Sequence, residues 1–409
     1  MASAPRRHAA LDSVDYRDGV LHWGGVSVEE IVAEAGQTPL YIYSRAMIDQ
    51  RIAELRNAMP PEMSLHYAIK ANPMPDVVRH MLKGVDGLDV ASVGELQLAL
   101  AQGADPAHIS FAGPGKSDSE LAYAVEHGAT VSVESERELA RLSAIAVRQR
   151  RRAMAVIRVN PSFELKSSGM KMGGLPSQFG IDAERVGSAL AQLDEHAIHF
   201  RGFHIYAGSQ NLRAESLAES LASTVDLVLQ LVQDSGRSIE YVNLGGGLGL
   251  PYAAGEKPLA LADLEAAFHQ TTARLQKALD GVAVVLELGR FLVGESGIYV
   301  MRVLDTKESR GERFVVTDGG LHHHLAASGN FGQVIRRNYP IAAVRQAAEQ
   351  REVNVVGRLC TPLDVIASAV NLDQLDVGSL VAVLLSGAYG RSASPAGFLS
   401  HPPCLETFV

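Results

Sequence analysis

The sequence predicts an α/β protein: a (β/α)8 barrel of the TIM type, joined to a mostly β C-terminal domain that N-terminal strands complete. Three observations predict it. Short apolar runs, each ending in small or polar residues and followed by a helical stretch, recur eight times between Ser64 and Arg290. The first five recur at roughly twenty residues, near the minimum for a strand, a helix and two turns. After Arg290 the texture changes to strand-like runs with few helical stretches between them. An open doubly wound sheet shares the alternation, because periodicity alone does not show closure.

Taken in order, Val20-Leu21-His22-Trp23 and the Gly24-Gly25 turn predict a short strand pair, and Ser27 is a good N-cap for the helix that follows. The barrel strands are then 65–70, 87–90, 109–112, 130–133, 155–159, 202–206, 241–244 and 283–287. The longer fifth and sixth intervals leave room for added loops, and the Gly- and Ser-rich stretch 163–179 is one. Runs 298–304, 313–316, 353–356 and 380–385 read as strands of the second domain. Residues 1–38 are therefore assigned to the β domain, 39–290 to the barrel and 291–409 to the C-terminal β domain.

Composition sets limits. A chain of 409 residues with 47% hydrophobic and 20% charged residues is an ordinary globular protein with a substantial core. A net charge of −9 argues against an extended nucleic-acid surface, and the basic run at 148–152 reads as a solvated helix end. The two cysteines, Cys360 and Cys404, exclude a disulfide framework. Residues 1–10 lack the apolar stretch of a secretory signal, and 380–385 is too short to cross a bilayer. A cytoplasmic protein without membrane contact is expected.

In such a barrel, chemistry collects where the strands end. The first run ends in Lys70, followed by Ala71-Asn72-Pro73. Alone, this lysine is a snorkelling surface residue; in context it is a desolvated amine poised to form an imine. The seventh run enters Gly245-Gly246-Gly247-Leu248-Gly249, either a tight turn or a cradle whose amides approach a phosphate. Its spacing is not the dinucleotide fingerprint, and no P-loop Lys-Ser/Thr pair follows. The sixth run ends in Ala207-Gly208-Ser209-Gln210, with a hydroxyl suited to phosphate. The eighth ends in Glu287-Leu288-Gly289-Arg290, where the carboxylate is either an arginine-paired structural group or a catalytic one. A lysine, a phosphate cradle and a carboxylate on different strands of one barrel fit pyridoxal 5'-phosphate. A carboxylate facing its pyridine nitrogen lets the ring absorb the electrons left when a bond at Cα breaks.

From Tyr67-Ala68-Ile69-Lys70-Ala71-Asn72 to Gly387-Ala388-Tyr389-Gly390, the chain resembles the ornithine/diaminopimelate decarboxylase family of pyridoxal-phosphate enzymes with the alanine-racemase-like fold. The resemblance implies that Lys70 forms the internal aldimine, with Asp89 and Arg158 lining the site. It implies that Ser209, Gly245, Gly246, Gly247, Arg290 and Tyr389 hold the phosphate, and that Glu287 pairs with the pyridine nitrogen. The racemase branch usually has an Arg there, so Glu287 implies decarboxylation. Residues 357–364, Gly-Arg-Leu-Cys-Thr-Pro-Leu-Asp, look like the family's Cys loop, which reaches the partner subunit's site. There Cys360 would return a proton to Cα, and the working unit would be a homodimer. Cys404 lacks this setting and reads as inert.

Two positions depart from the family pattern. Where the family usually stacks a His on the cofactor ring, this chain has Tyr206, with His204 two residues earlier; both are assigned to the cofactor site. Thr361 replaces the Glu that follows the Cys in diaminopimelate decarboxylases, which argues against diaminopimelate as substrate. Two further segments, 163–174 and 318–330, resemble a branch containing decarboxylases of glutamyl groups on acyl-carrier proteins and the exosortase-associated pyridoxal-dependent decarboxylases. Consecutive residues of a strand face opposite ways, so an extended His322-His323-His324 cannot ligate one metal, and no metal site is expected. His323 and Asp364 are instead assigned to substrate, with Arg336 or Arg337 reading a carboxylate.

The function expected is α-decarboxylation of an acidic or diamino acid, free or carrier-linked. The alternatives are diaminopimelate decarboxylase itself, a non-catalytic pyridoxal-phosphate carrier or regulator, and a metal-dependent barrel hydrolase. The third leaves Lys70 and the glycine loops unexplained.

Overall fold

The computed structural model describes residues 8–12, 14–164, 170–171, 174, 176–331 and 336–409. Much of the expected loop at 163–179, namely positions 165–169, 172–173 and 175, lies outside them. The chain divides into two compact units: Arg51–Leu250 with Leu259–Leu292, and Met1–Gln50 with Pro251–Pro258 and Val293–Val409.

The first unit is a closed barrel of eight parallel strands: β1 Met63–Ala68, β2 Gly87–Val90, β3 Ile109–Phe111, β4 Thr130–Val133, β5 Ala153–Asn160, β6 Ile198–Ile205, β7 Tyr241–Asn243 and β8 Ala283–Leu288. Neighbours pair in chain order, and β8 returns to β1 with Val284 opposite Met63 and Glu287 opposite His66. Closure, which periodicity left open, is thereby settled. Serines start the helices that leave the strand ends. Ser92, Ser117 and Ser135 each accept the N–H of the third residue on, and Ser117 forms a reciprocal capping box with Glu120. These caps let the chain turn within a few residues, so the strand-end side chains stay where the strands put them.

The second unit is mainly β. Gly297–Ser309 is its central strand, pairing with Leu40–Tyr43, Glu312–Thr317 and Leu380–Val383. Leu40–Tyr43, which the sequence reading gave to the barrel, also pairs with Leu405–Phe408. Its four residues are all buried, which for side chains that alternate between the two faces means that both faces of the strand are covered. Leu21, Trp23, Ile42, Val300 and Leu384 belong to the core beneath this sheet, and Trp23 donates its indole N–H to the Ser296 carbonyl at 2.8 Å. Among the described residues no helix is long and apolar enough to cross a membrane.

Candidate active site

All eight barrel strands carry a buried polar side chain: His66 on β1, Asp89 on β2, Ser110 on β3, Ser132 on β4, Arg158 on β5, His204 on β6, Asn243 on β7 and Glu287 on β8. Barrel interiors are ordinarily filled by bulky apolar residues. A polar layer here is built for something other than packing.

Its two carboxylates are shifted in opposite directions. Glu287 Oε2 lies 3.3 Å from His204 Nε2 and accepts a bond of 2.9 Å from Asn243 Nδ2. Burial opposes its charge, but His204, Lys70 and Arg158 outweigh burial and bring the carboxyl down to about 2. Asp89 Oδ2 is 3.6 Å from His66 Nδ1, and neither Asp89 oxygen receives a hydrogen bond among the described residues. Burial first, then the Glu287 charge, raises the Asp89 carboxyl above its ordinary range against the pull of His66. Neighbouring acids pushed apart in this way suit different tasks: Glu287 as a fixed anion, Asp89 as a group able to keep a proton.

The layer is cross-braced. Asn243 donates to Glu287, and its carbonyl oxygen accepts the Gly245 N–H at 2.8 Å. Ser132 Oγ lies 2.9 Å from His204 Nδ1. Arg158 donates to Glu134 at 2.7 Å, and its guanidinium carbon stands 4.8 Å from the centre of the Phe179 ring. Glu134 also accepts the N–H of Gly113 and of Gly180.

Strand β1 ends at Ala68, and Lys70 sits on the one-turn 3-10 helix Ile69–Ala71, exposed rather than desolvated. Its Nζ is 5.9 Å from the centre of the Tyr206 ring, just past the end of β6. Ser209 lies beyond the same strand, in Gly208–Ser209, and Arg290 follows β8. The N–H groups of Gly246 and Gly247, after β7, meet no protein acceptor among the described residues, and Gly247 is buried. Buried amides are nearly always paired, and adjacent ones beyond a strand end suit an anionic oxygen. An amine, an aromatic face, open amides and an ionised carboxylate at one end of one barrel fit pyridoxal phosphate.

The remaining expected residues belong to the β-rich unit. Cys360 is exposed, in the turn between Gln350–Val356 and Val365–Asp373. Tyr389 holds a left-handed backbone, φ 53°, which a residue with a side chain adopts at a cost and which is often found at functional positions. His322, His323 and His324 lie in a turn, not a strand. His323 Nε2 is 2.9 Å from the Pro402 carbonyl, and its Nδ1 is 3.3 Å from the Tyr299 hydroxyl. Asp364 accepts the N–H of Leu321 and Leu359, and Arg336 donates to the Val365 carbonyl. These three side chains are engaged within their own unit.

His66, Ser132, Glu134 and Asn243 carry no motif in the sequence. The available signal for His66 and Asn243 is a lone polar residue interrupting an apolar run. Gly87 is the silent companion of His66. A Cβ there would stand 2.4 Å from His66 Nε2 and 2.5 Å from the His108 carbonyl. Gly87→Ala is expected to destabilise the chain by about 1–3 kcal/mol, because a carbonyl cannot move aside. Urea unfolding checks it, and Gly84→Ala, which meets only the Ile52 side chain, is the control.

Comparison with known proteins agrees with this geometry. The family model for the pyridoxal binding domain of pyridoxal-dependent decarboxylases matches residues 45–294. The chain is 38% identical over 381 residues to the L-glutamyl-[BtrI acyl-carrier protein] decarboxylase of Niallia circulans, covering 90% of this chain and 88% of that one. It is 31% identical to the 2-[(L-alanin-3-ylcarbamoyl)methyl]-2-hydroxybutanedioate decarboxylase of Staphylococcus aureus, covering 92% and 95%. The crystal structure of diaminopimelate decarboxylase from M. jannaschi superposes with a TM-score of 0.88 at 26% identity, covering 98% of this chain and 93% of that one. With a pyridoxal-binding barrel, the matching β domain and relatives named for this chemistry, the chain belongs to the pyridoxal-dependent decarboxylases and is an amino-acid decarboxylase that uses pyridoxal phosphate.

Proposed function

We propose that the chain removes the α-carboxylate of an amino acid that carries an acidic or carrier-linked substituent, with Lys70 as the residue that anchors the cofactor. Bound there, pyridoxal phosphate supplies an electron-accepting ring for the pair left when the bond from Cα to the carboxylate breaks. Gly245, Gly246, Gly247, Ser209 and Arg290 would hold its phosphate, with Tyr389. Tyr206 would support the ring face, and Glu287 would face the ring nitrogen. His204 and Asn243 keep Glu287 in place, and Arg158 and Asp89 line the same end of the barrel. Cys360 would deliver the proton that replaces the lost carboxylate, from the second subunit of a homodimer.

The observation that carries this reading is the buried Glu287, 3.3 Å from His204 and bonded by Asn243 at 2.9 Å. Its folded-state value lies below the ordinary one, so it contributes stability above the usual glutamate range and loses it only as pH falls toward about 2. It remains an anion at every working pH and can keep a proton on a facing ring nitrogen. Glu287→Gln preserves the acceptor for Asn243 but removes the charge. It is expected to lower turnover by about 10²–10³-fold while the protein still takes up cofactor. Carbon dioxide release and visible absorbance measure the two effects separately.

The substrate class is supported by the named relatives, one acting on a carrier-linked glutamyl group and one on a citrate-like amide. Thr361 supports a substrate other than diaminopimelate. The test is carbon dioxide release from the purified holoenzyme with free glutamate, glutamyl groups on an acyl-carrier protein, and diaminopimelate. Release from diaminopimelate alone would overturn the substrate reading. No release from any of them, with cofactor bound, would favour a carrier.

A further inference from the structure

Of the three consecutive histidines, two are accounted for by their own unit. His323 is held by Pro402 and Tyr299, and His324 lies 2.9 Å from Ser386 Oγ and takes the Ala327 N–H. His322 is different. It is 0% exposed, and neither ring nitrogen has a hydrogen-bond partner among the described residues. Its ring centre stands 3.7 Å from that of His323 and 5.3 Å from that of His401. Burial, His323, His401 and Arg358 bring its pKa down to about 3, so the resting imidazole is neutral, with one N–H to give and one lone pair to receive.

Asp364 ties the loop that carries Arg358 to the turn that carries this ring. That carboxylate takes the N–H of Leu321, the residue before His322, and of Leu359, the residue after Arg358. The packing is close: a Cβ on Gly320 or Gly357 would stand 2.5 or 2.1 Å from its oxygens. Asp364 is bonded to two amides and also faces His401. Arg358 is exposed and makes no ion pair or hydrogen bond among the described residues, and half-buried His401 makes none either. A permanent guanidinium, a buried imidazole with nothing to bond and a second imidazole thus share one small region.

We propose that Arg358, His322 and His401 form a binding site for a carboxylate, and that it takes an acidic substituent of the substrate remote from the carboxylate that leaves. One planar guanidinium fork beside two imidazoles suits a planar monoanion better than a phosphate dianion, which calls for more fixed cations. The assignment to substrate rests on the reading of Cys360, two residues along the same loop, as an active-site group. The carboxylate site itself does not.

Cys360 reports on the site without turnover. It is exposed, whereas Cys404 is buried, with its Sγ 3.1 Å from the Pro39 carbonyl, and serves as the internal control. The holoenzyme is alkylated with iodoacetate, a carboxylate, or with neutral iodoacetamide, and each cysteine is followed by peptide mass spectrometry. The ratio of the two rates cancels any change in thiolate fraction. Arg358→Gln is expected to lower the ratio at Cys360 by about threefold, and His401→Gln to lower it less. Glutarate is expected to protect Cys360 saturably, with its half-protecting concentration raised about tenfold by Arg358→Gln and by His322→Phe.

An unchanged ratio in Arg358→Gln overturns the site. So does an absence of saturable protection, or better protection by inorganic phosphate than by glutarate. Arg358→Gln and His401→Gln lie at solvent-accessible positions, so the test survives if His322→Phe does not fold. A chain that shows this pattern yet releases no carbon dioxide would fail as a decarboxylase while keeping the site.

Discussion

Lys70→Ala is expected to reduce carbon dioxide release by at least about 10²–10⁴-fold and to leave the protein unable to retain cofactor through gel filtration. The parent chain, treated with borohydride, should carry the reduced cofactor on the peptide containing Lys70; the variant should carry none. Lys70 is exposed on a single turn past the end of β1, so the substitution creates no cavity. The urea midpoint of the cofactor-free variant should therefore match that of the parent. Visible absorbance unchanged by the substitution would remove Lys70 from its assigned role.

The second large effect concerns stability. Arg158 and Glu134 form a buried pair at 2.7 Å, with side chains 7% and 2% exposed. Glu134→Ala leaves a guanidinium in the barrel interior without its anion and deprives the Gly113 and Gly180 amides of their acceptor. Removing one partner of a buried pair costs about 3–5 kcal/mol, which urea unfolding of the cofactor-free chain would register. Asp226→Ala breaks a pair of comparable length on the surface, between side chains 46% and 68% exposed. It should cost less than about 1 kcal/mol, because water already screens those charges. Equal costs for the two variants would show that the interior pair gains nothing from its setting. Glu134→Gln, which keeps an acceptor, should fall between them.

These two residues also show what the sequence makes legible. Lys70 stands at the end of a strand whose apolar run and following turn are both local, so its position can be inferred from its neighbours. Glu134 follows its strand in the same way, but its meaning depends on Arg158, a strand away across the ladder. Parallel pairing in a barrel brings together residues separated by a whole helix, and no local pattern records which ones meet. Asp89, Arg158 and Glu287 could be assigned through a family resemblance, whereas His66, Ser132 and Asn243 could not. The barrel strands were readable because each run is short, apolar and regularly spaced. Val365–Asp373 was not, since buried and exposed positions follow one another irregularly along it. The segment Pro251–Pro258, which belongs to the β-rich unit, interrupts the barrel sequence as a short proline-bounded loop with no strand or helix pattern of its own. The histidine run failed as a pattern for another reason: a turn, unlike a strand, gives consecutive side chains no fixed alternation, and each ring found separate surroundings.

Asn243 acts as a gauge. Its planar amide is the sole side chain spanning from the Glu287 carboxylate to the Gly245 amide among the bonds described, donating at one end and accepting at the other. The interval between the anion of β8 and the glycine turn of β7 is therefore bridged twice, by this amide and by the Glu287 N–H donated to the Gly245 carbonyl at 2.8 Å. Asp would keep the interval but lose the donor, and Gln would lengthen it by a methylene. Descendants of this chain are free to alter substrate loops, but drift at either end of the pocket strains both this side chain and the backbone bond beside it. The two ends are inherited together.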